Sequence, residues 1–475
     1  MGQTITIDPI TRIEGHSKIT IMMDDDGRVA DARFHVTQFR GFEKMTEGRM
    51  FHEMPSITAR SCGICPVSHL MSSSKACDEL LAVTIPETAA NLRRIMNLAQ
   101  IAQSHALSFF HLSSPDLLMG FDSDPVERNI FGVLSKYPDL ARDGVALRKF
   151  GQQIIELLGS KRIHPAWVVP GGVNAPLSEE NRETILGWLP DAMTRIRRTL
   201  DWYKDIFGNF DAEIRAFANF PSLFMGLVSD DGELALYDGK IRICDARGEI
   251  VEDGLDPRKY YEYIGEYVEP DSYLKSPYYR PMGYPDGIYR VGPLARLNII
   301  DRVGTKLADE EWAEFRTLER GAQLSSFFYH HARLIEILYT IERMDELLND
   351  PDILSENVRA KASPNRREGV GASEAPRGTL WHHYRTDENG LITWVNMIIA
   401  TGNNNLAMNK GVHQAARTFV RGEKIEEGAL NRVEAVIRCF DPCLSCSTHA
   451  FGQMPMEVEL VRPDGEVIDR KARAM

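Results

Sequence analysis

The chain has 475 residues, of which 43% are hydrophobic and 26% are charged, and its formal net charge is −13 at pH 7. This balance is that of a globular protein with a large core, and the acidic charge argues against nucleic-acid binding. No apolar run reaches the ~18–20 residues that a membrane span needs, and residues 1–4 do not begin a secretion signal. We therefore expect a cytoplasmic protein with no transmembrane segment and no nucleic-acid partner.

The first forty residues alternate between apolar and polar side chains, which predicts β structure. Two alternating runs, Lys18 to Met22 and Val29 to Val36, flank the turn Asp24-Asp25-Asp26-Gly27. An Asp-Gly turn between such runs indicates a hairpin. We therefore expect a β-rich N-terminal region over residues 1–40.

From about Ile64 the apolar period becomes helical, and apolar side chains from Leu92 to Leu112 recur at three- and four-residue steps. Ser178, which precedes two glutamates, is typical of a helix N-cap. The helical pattern continues to about Phe217, and we expect Pro190 to break or kink this helix because proline removes one backbone hydrogen bond.

The rest of the chain switches between the two periods. In chain order, we expect strands over 221–254, ordered loop over 255–300, a helix over 309–348, irregular structure over 351–380, a strand over 394–400 and a helix over 406–420. Together these elements predict a mainly α fold, with a core of long bundled helices and small β attachments at the N-terminus and in mid-chain. We expect one domain over residues 1–449, with an α/β insertion at about 221–300 and an extension over 450–475.

Two Cys-x-x-Cys pairs, Cys62-Gly63-Ile64-Cys65 and Cys443-Leu444-Ser445-Cys446, stand 378 positions apart. Thiolates select zinc, iron–sulfur, copper(I) or nickel over hard cations. A zinc ribbon closes a much shorter loop between its pairs, so this spacing indicates that the whole fold brings the pairs together. From these residues alone, a structural zinc site, a redox metal site and two unrelated pairs all stay open.

The flanks of the two pairs carry further polar groups. If a helix begins at Pro66, His69 lies over the Cys65 thiolate and can donate a hydrogen bond to its sulfur. The plain alternative is a histidine with no role in the site. Asp441 precedes Cys443 by two positions, and His449 follows Cys446 by three. A carboxylate and an imidazole beside a thiolate pair are more than a zinc ribbon requires.

Five motifs resemble the large, catalytic subunit of nickel–iron hydrogenases, and their order and spacing cover the whole chain. In chain order they are Arg12-Ile13-Glu14-Gly15-His16, Arg40-Gly41-Phe42-Glu43, Cys62-Gly63-Ile64-Cys65 with His69, Glu374-Ala375-Pro376-Arg377-Gly378, and Asp441-Pro442-Cys443 through Cys446 to His449. The resemblance implies the fold of that subunit and an enzyme that reversibly oxidises H2 to protons and electrons at a buried metal centre.

By this resemblance, Cys62, Cys65, Cys443 and Cys446 bind nickel. Cys65 and Cys446 also bridge to an iron that carries two cyanides and one carbon monoxide. The family places a proton first on a terminal thiolate, here Cys443, and then on a relay carboxylate, here Glu14. The plain alternative for Glu14 is a salt-bridge glutamate near the N-terminus.

The resemblance also assigns groups around the metals. Arg377, oriented by Asp441, and Thr401 are expected to donate hydrogen bonds to the cyanides. Glu43, the carbonyl of Met397 and His449 resemble a second site that holds magnesium, because carboxylate and carbonyl oxygens suit a hard cation.

Two departures from the common pattern indicate a subgroup. Gln103-Ser104-His105 stands where many members have an acidic residue, and Gly402-Asn403-Asn404-Asn405 replaces a Pro-Thr-Thr-Trp-Asn-like run. Both are similar to the bidirectional, NAD-linked, soluble branch. A hydrogenase coupled to NADP or a deazaflavin, and a hydrogen-sensing subunit, are the alternatives.

The chain contains no Gly-x-Gly-x-x-Gly motif after a strand and no further cysteine cluster, since Cys77, Cys244 and Cys439 are scattered. We expect these three thiols to be buried small hydrophobes. The resemblance therefore implies partners that carry the other cofactors, namely a small iron–sulfur subunit and diaphorase subunits with FMN and NAD.

Members of the family are also cut by a maturation endopeptidase once nickel-delivery proteins have inserted the metal. The cut is expected between His449 and Ala450, which removes the extension with its strand-like run from Met456 to Val461.

A hydrogen sensor would end at the histidine, and a quinone-site subunit of NADH dehydrogenase would lack the cysteine pairs. A structural zinc protein would contain no nickel.

Overall fold

Helices and strands alternate along the chain in the computed structural model, which describes residues 4–39, 41–421 and 426–448, and the backbone alone of 456–461 and 467–473. The strands are β1 (Thr4–Ile7), β2 (Ser17–Met23), β3 (Val29–Val36), β4 (Val168–Val169), β5 (Gly172–Val173), β6 (Leu223–Val228), β7 (Lys240–Cys244), β8 (Ile250–Leu255), β9 (Ile264–Tyr267), β10 (Ser276–Tyr279), β11 (Tyr289–Arg290), β12 (Glu368–Ala375), β13 (Gly378–Thr386), β14 (Ile392–Ile398), β15 (Met456–Val461) and β16 (Val467–Arg473).

The helices form the larger part of the fold. They are α1 (Phe42–Met45), α2 (Met54–Thr58), α3 (Pro66–Leu81), α4 (Glu87–Leu107), α5 (Ser114–Met119), α6 (Ile130–Lys136), α7 (Pro138–Gly159), α8 (Glu179–Phe207), α9 (Asp211–Ala216), α10 (Tyr260–Tyr263), α11 (Pro293–Ile299), α12 (Lys306–Phe315), α13 (Tyr329–Leu348), α14 (Ala400–Asn403), α15 (Asn405–Phe419), α16 (Glu427–Phe440) and α17 (Leu444–Ser447). None of the described helices combines the length and the hydropathy of a membrane span.

The core is built around α4, which packs against α7 and α13, while α13 also packs against α8. Nearly every residue of α4 is buried, so this helix is surrounded by protein on all sides. A π-helical turn, Ser108–Ser113, follows α4 where the regular helical period was expected to continue to Leu112. The predicted mainly α fold with a long-helix core is confirmed.

Several predicted elements are confirmed with small shifts in their bounds. The N-terminal hairpin pairs β2 with β3, and Gly27 in its turn has a φ of 70°. The predicted N-cap Ser178 accepts a hydrogen bond from the backbone N–H of Asn181 at 3.2 Å. Strands β6 to β8 form within the predicted 221–254 region, and β14 and α15 occupy the last two predicted elements.

Of the break or kink expected at Pro190, the break does not occur, because α8 continues through the proline from Glu179 to Phe207. The proline lies on the exposed side of the helix, whereas Leu189 and Ala192 are buried. Water can therefore satisfy the carbonyl that loses its hydrogen bond, while burial of the apolar face keeps the helix continuous.

The helix predicted over 309–348 is two helices, α12 and α13, separated by a turn at Gly321 with a φ of 82°. The prediction of an ordered loop over 255–300 is also wrong, because this segment contains β9, β10, β11 and the fully buried α11. Helices α7 and α16 were not predicted. Burial against neighbouring elements stabilises these segments more than their own sequence patterns indicate.

The most important miss is the hairpin of β12 and β13, in a region predicted to be irregular up to residue 380. Strand β12 packs directly on α3, and a Cβ added to Gly371 would lie 2.0 Å from the Ser72 carbonyl oxygen. Small residues permit this close contact, but they are not typical of strands. The hairpin turn carries Arg377 towards the paired cysteines.

Candidate metal centre

The first cysteine pair lies at the start of α3, as predicted, with Cys65 directly before Pro66. The Cys62 sulfur accepts hydrogen bonds from the backbone N–H groups of Ile64 and Cys65, at 3.2 and 3.3 Å. The side-chain amides of Gln100 and Gln103 each donate to the Ile64 carbonyl at 2.7 Å. Helix α4 thus fixes the loop that presents both thiols.

The second pair follows α16, which ends at Asp441 in a left-handed conformation with a φ of 54°. Residues around Glu14 hold this segment, since the Leu444 N–H donates to the Glu14 carbonyl at 3.1 Å. Gly15 permits the close approach, because a Cβ there would lie 2.6 Å from the Leu444 Cβ. The N-terminal motif therefore positions the C-terminal pair.

All four sulfurs of Cys62, Cys65, Cys443 and Cys446 lie within 4.8 Å of one another, and all four side chains are buried. The Cys62 and Cys443 sulfurs are 3.0 Å apart, the Cys443 and Cys446 sulfurs 2.8 Å, and the Cys65 sulfur is 3.9 Å from each of the latter two. Disulfide bonds are about 2.05 Å long, so these thiols are unbonded and converge on one point. The arrangement suits a soft metal held by four thiolates.

Protonation differs within the cluster. Hydrogen bonds from the neighbouring thiols, Cys443 first, lower the pKa of Cys62, whereas burial raises the pKa of Cys443. Four thiolates so close together cannot all carry charge without a compensating cation. The cluster therefore favours the binding of a metal ion.

Arg377 is buried next to the sulfurs and faces Asp441. Its Nη2 donates to Asp441 Oδ1 at 3.1 Å, its Nε donates to the Asp441 carbonyl, and its Nη1 donates to Ser104 Oγ at 3.2 Å. Burial opposes the positive charge, but Asp441 and the thiols hold the pKa of Arg377 well above its ordinary value. A charged guanidinium in a fixed orientation thus lies beside the thiol cluster.

A small cavity of about 10 Å³ adjoins the cluster, lined by Cys65, His69, Arg377 and Thr401 among mostly apolar side chains. The Thr401 hydroxyl accepts the Cys443 N–H at 2.9 Å, which leaves its hydrogen to donate elsewhere. The structure therefore brings His69, Arg377 and Thr401, which were expected to surround the metals, next to the thiols. The fourth expected residue, Asp441, lies behind Arg377.

Glu14 is half-buried and its carboxylate accepts the Ser445 N–H at 3.0 Å, one residue before Cys446. The predicted relay carboxylate thus lies between the second cysteine pair and the protein surface. Its role in proton transfer stays a prediction.

The predicted magnesium ligands are only partly described. Glu43 accepts the backbone N–H of Met397 at 2.8 Å, so the two residues are in contact through the N–H of Met397, whereas its carbonyl oxygen is the predicted ligand. The Lys275 ammonium lies 3.9 Å from the Glu43 carboxylate and 3.3 Å from Glu266. His449, the third predicted ligand, and the predicted cleavage position His449–Ala450 lie outside the described residues.

The other three cysteines, Cys77, Cys244 and Cys439, are buried and unbonded, as predicted. Burial raises the pKa of Cys244 and of Cys439 to about 12, so both remain thiols. None of the three belongs to the thiol cluster.

Sequence motifs did not reveal that Gln100, Gln103 and Ser104 support the site. The departure from an acidic residue at Gln103-Ser104-His105 has a physical consequence, because an amide can donate to the Ile64 carbonyl and a carboxylate cannot. Two glutamines three residues apart, and therefore on one face of the predicted helix, were the available signal.

Comparison with known proteins places the chain in a family. Residues 40–121 and 227–449 match the family described as nickel-dependent hydrogenase, and residues 4–39 match one described as HoxL-like. The chain belongs to the nickel-dependent hydrogenases, and within them it is the large component of a hydrogenase.

Among its relatives, the beta subunit of the NAD-reducing hydrogenase HoxS of Cupriavidus necator is 41% identical over the full length of both chains. One component of the F420-non-reducing hydrogenase vhu of Methanocaldococcus jannaschii is 42% identical, over 89% of this chain and 100% of its own. A solved NAD+-reducing [NiFe]-hydrogenase in the H2-reduced state is 44% identical, with a TM-score of 0.91 over 94% of this chain and 99% of that one.

The residues present fit the nickel centre of this family. Four convergent thiols supply the soft donors, the adjoining cavity is lined mostly by apolar side chains, and Arg377 supplies a positive charge beside the thiols.

Proposed function

We propose that this hydrogenase passes electrons from H2 through a small iron–sulfur subunit to flavin-containing diaphorase subunits that reduce NAD+ in the cytoplasm. The observation that carries the proposal is the buried cluster of four thiols with Arg377 beside it. The NAD link is supported by the full-length similarity to the HoxS beta subunit and to the NAD+-reducing structure. Because the chain has no Gly-x-Gly-x-x-Gly motif after a strand and no cysteine cluster besides the four thiols, the proposal assigns the nucleotide and the relay clusters to partner subunits.

In this proposal Cys62, Cys65, Cys443 and Cys446 hold nickel, and Cys65 and Cys446 also hold an iron with two cyanides and one carbon monoxide. When bound, this centre supplies the redox chemistry that converts H2 to protons and electrons. The chain itself orients the small ligands, because Arg377 and Thr401 are donors in an otherwise apolar cavity.

The proton leaves through side chains of this chain. The Cys443 thiolate accepts it first, and Glu14 carries it onward. The proposal is supported by the half-buried position of Glu14 and by its bond to the Ser445 N–H at 3.0 Å, which keeps the carboxylate next to the thiols.

A second cation site is proposed at Glu43, the Met397 carbonyl and His449, with magnesium as its occupant. The adjacency of Glu43 and Met397 supports it, and the nearby Lys275 supplies a competing positive charge. Metal analysis of Glu43→Ala protein, with and without added magnesium, tests this site.

We further propose that a maturation endopeptidase cuts between His449 and Ala450 after nickel-delivery proteins have loaded the site. The β15–β16 hairpin then belongs only to the precursor. Intact mass spectrometry of the active complex tests this step, and a mass that matches residues 1–475 with full activity would contradict it.

A different electron carrier is the second candidate, because F420-non-reducing hydrogenase components are as similar in sequence as the HoxS beta subunit. The deciding experiment supplies the purified complex with H2 and NAD+, NADP+ or a deazaflavin in turn. We expect NADH to form fastest, and complex with Cys443→Ala to form none. Reduction of another carrier in preference to NAD+ would contradict the proposal.

A further inference from the structure

The run Gly402-Asn403-Asn404-Asn405, which departs from the common family pattern, directly follows Thr401 and is buried throughout. Its three asparagines are at most 1% exposed, and each side-chain amide bonds to a segment that is distant in the sequence. A buried amide without partners costs free energy, so such a run is stable only where the amides are bonded. The partners of the first two asparagines lie next to Arg377.

Asn403 is bonded at both ends of its amide. Its Nδ2 donates to the Thr379 carbonyl at 2.9 Å, and its Oδ1 accepts the Tyr289 hydroxyl at 2.6 Å. Burial raises the pKa of Tyr289 well above its ordinary value, so this phenol keeps the proton that it donates. The orientation of the amide is fixed, because a carbonyl oxygen can only accept. Since Thr379 comes two positions after Arg377, the bond ties α14 to the start of β13.

Asn404 bonds to the backbone of Val291, the residue that follows β11. Its Oδ1 accepts the Val291 N–H at 2.9 Å, while the Tyr329 hydroxyl donates to the Val291 carbonyl at 2.7 Å. Val291 packs against the turn that carries Arg377, since a Cβ added to Gly378 would lie 2.1 Å from Val291 Cγ2. The bond therefore connects the end of α14 to the residue that supports the Arg377 turn.

Thr401 is held between these bonds and the second cysteine pair. Its carbonyl accepts the backbone N–H of Asn404 at 3.1 Å, and its hydroxyl accepts the Cys443 N–H at 2.9 Å. Thr401 and Arg377 both line the metal cavity. The separation of these two side chains is therefore set by how α14 is held against β13 and Val291.

We propose that Asn403 and Asn404 are positioning residues that hold Thr401 at a fixed separation from Arg377, so that the two side chains donate to the small ligands of the metal centre as a pair. This inference rests on the proposed function. A hydrogen bond to a cyanide nitrogen weakens steeply when its distance or angle departs from the preferred geometry. Bonds from two neighbouring amides to the segments on each side of the Arg377 turn keep both donors within that geometry.

The infrared bands of iron-bound cyanide in the purified complex test the proposal, because the stretching frequency of a cyanide changes when a donor to its nitrogen moves. Asn404→Ala removes the acceptor of the Val291 N–H and leaves Thr401, Arg377 and the four thiols in the chain. We expect nickel and iron contents to stay as in the wild type and at least one cyanide band to shift. Unshifted cyanide bands would overturn the proposal.

The matched control is Asn405→Ala, which removes the next asparagine along the chain. The Asn405 amide is as deeply buried, but its Nδ2 donates to the Leu274 carbonyl at 3.2 Å and to Ser276 Oγ at 2.9 Å, around the start of β10. We expect the cyanide bands of this variant to keep their wild-type positions. An equal shift in both variants would show a general effect of losing a buried amide and would overturn the assignment.

A milder pair of variants decides the question if Asn404→Ala protein does not assemble. Tyr289→Phe removes only the hydroxyl that donates to Asn403 Oδ1, whereas Tyr263→Phe removes a hydroxyl that donates to the Asp256 carbonyl at 3.2 Å. We expect a shifted cyanide band in the first variant and none in the second. Equal band positions in the two variants would overturn the proposal, whereas wild-type complex without carbon monoxide and cyanide bands would instead contradict the proposed function.

Discussion

Two fully buried arginines, Arg296 and Arg377, lie close together in the chain's fold but are bonded very differently. Arg296 has two carboxylate partners, with Nε 2.7 Å from Glu336 Oε1 and Nη1 2.8 Å from Glu374 Oε2. Its remaining donors reach the carbonyls of Ala375 and Pro376 at 3.0 and 3.3 Å. Arg296 thus fixes the turn that precedes Arg377.

Arg377 has one carboxylate partner, Asp441, and borders the cavity beside the thiols. Arg296 holds the pKa of Glu336 down to about 2 although burial opposes this, whereas burial raises the pKa of Glu374 despite the same arginine. Arg296 therefore fixes the chain, whereas the charge of Arg377 is available to bound ligands. We expect Arg296 to govern the stability of the fold and Arg377 to govern its chemistry.

The largest effect on the metal site, as opposed to the fold, is expected from the removal of one thiol. We expect Cys443→Ala to abolish nickel binding and hydrogen oxidation, because no other donor replaces the lost sulfur. The matched control is Cys439→Ala, which removes another buried cysteine that lies outside the cluster. Nickel content by mass spectrometry should be zero for the first and close to wild type for the second, and nickel lost equally from both would contradict this distinction between the site and the fold.

Arg296→Leu is expected to destabilise the fold, because Glu336 and Glu374 would be left buried without a cation. The cost is about 3–5 kcal/mol, as for other broken buried ion pairs. Chemical denaturation measures it. Arg302→Leu serves as the control, since Arg302 pairs with Glu233 at the surface and its loss should leave the free energy of unfolding almost unchanged. Similar losses in both variants would remove the basis for calling Arg296 structural.

Arg377→Lys should do the opposite, with little loss of stability and a fall in hydrogen oxidation of about 10²–10³-fold, as when one preorganised donor is removed from an active site. Lysine keeps the charge but cannot reproduce the three bonds to Asp441 and Ser104. Turnover and unfolding free energy are measured on the same preparation. Full turnover in this variant would contradict the assignment of Arg377 to the chemistry.

Glu14→Gln should have the smallest effect on the metals and the most selective effect on turnover. Glutamine can still accept the Ser445 N–H but cannot carry a proton, so hydrogen oxidation and exchange with deuterated solvent should fall about 10²-fold. Conversion of para to ortho hydrogen should persist, because it needs no proton exit. Loss of all three activities together would count against the relay role.

The residues of the metal site could be predicted from the sequence, whereas the ion-pair network of Arg296 could not. The four thiols, Arg377 and Glu14 were predicted because their motifs are local and their residue types have few other roles together. Arg296, Glu336 and Glu374 are as deeply buried, yet nothing in their local sequence shows that three distant segments converge on one ion-pair network. Long-range pairing of this kind depends on the packing of complete elements.

The fold shows the same limit. Strands β2 and β3 were predicted because each is half-buried and alternates clearly, whereas β12 was missed because its glycines face the backbone of α3. The break expected at Pro190 does not occur, because the local cost of the proline is offset by burial of the opposite face of α8. Among the strands, local patterns therefore predicted β2 and β3, which have one exposed side, and failed for β12, which is buried on both faces.

The central claim is that the four thiols of Cys62, Cys65, Cys443 and Cys446 hold a nickel–iron centre. X-ray absorption at the nickel edge of the purified complex tests it most directly. The account predicts nickel with sulfur as its main ligand and iron as its nearest metal neighbour. Zinc in place of nickel, or nickel bound mainly by nitrogen and oxygen, would contradict it.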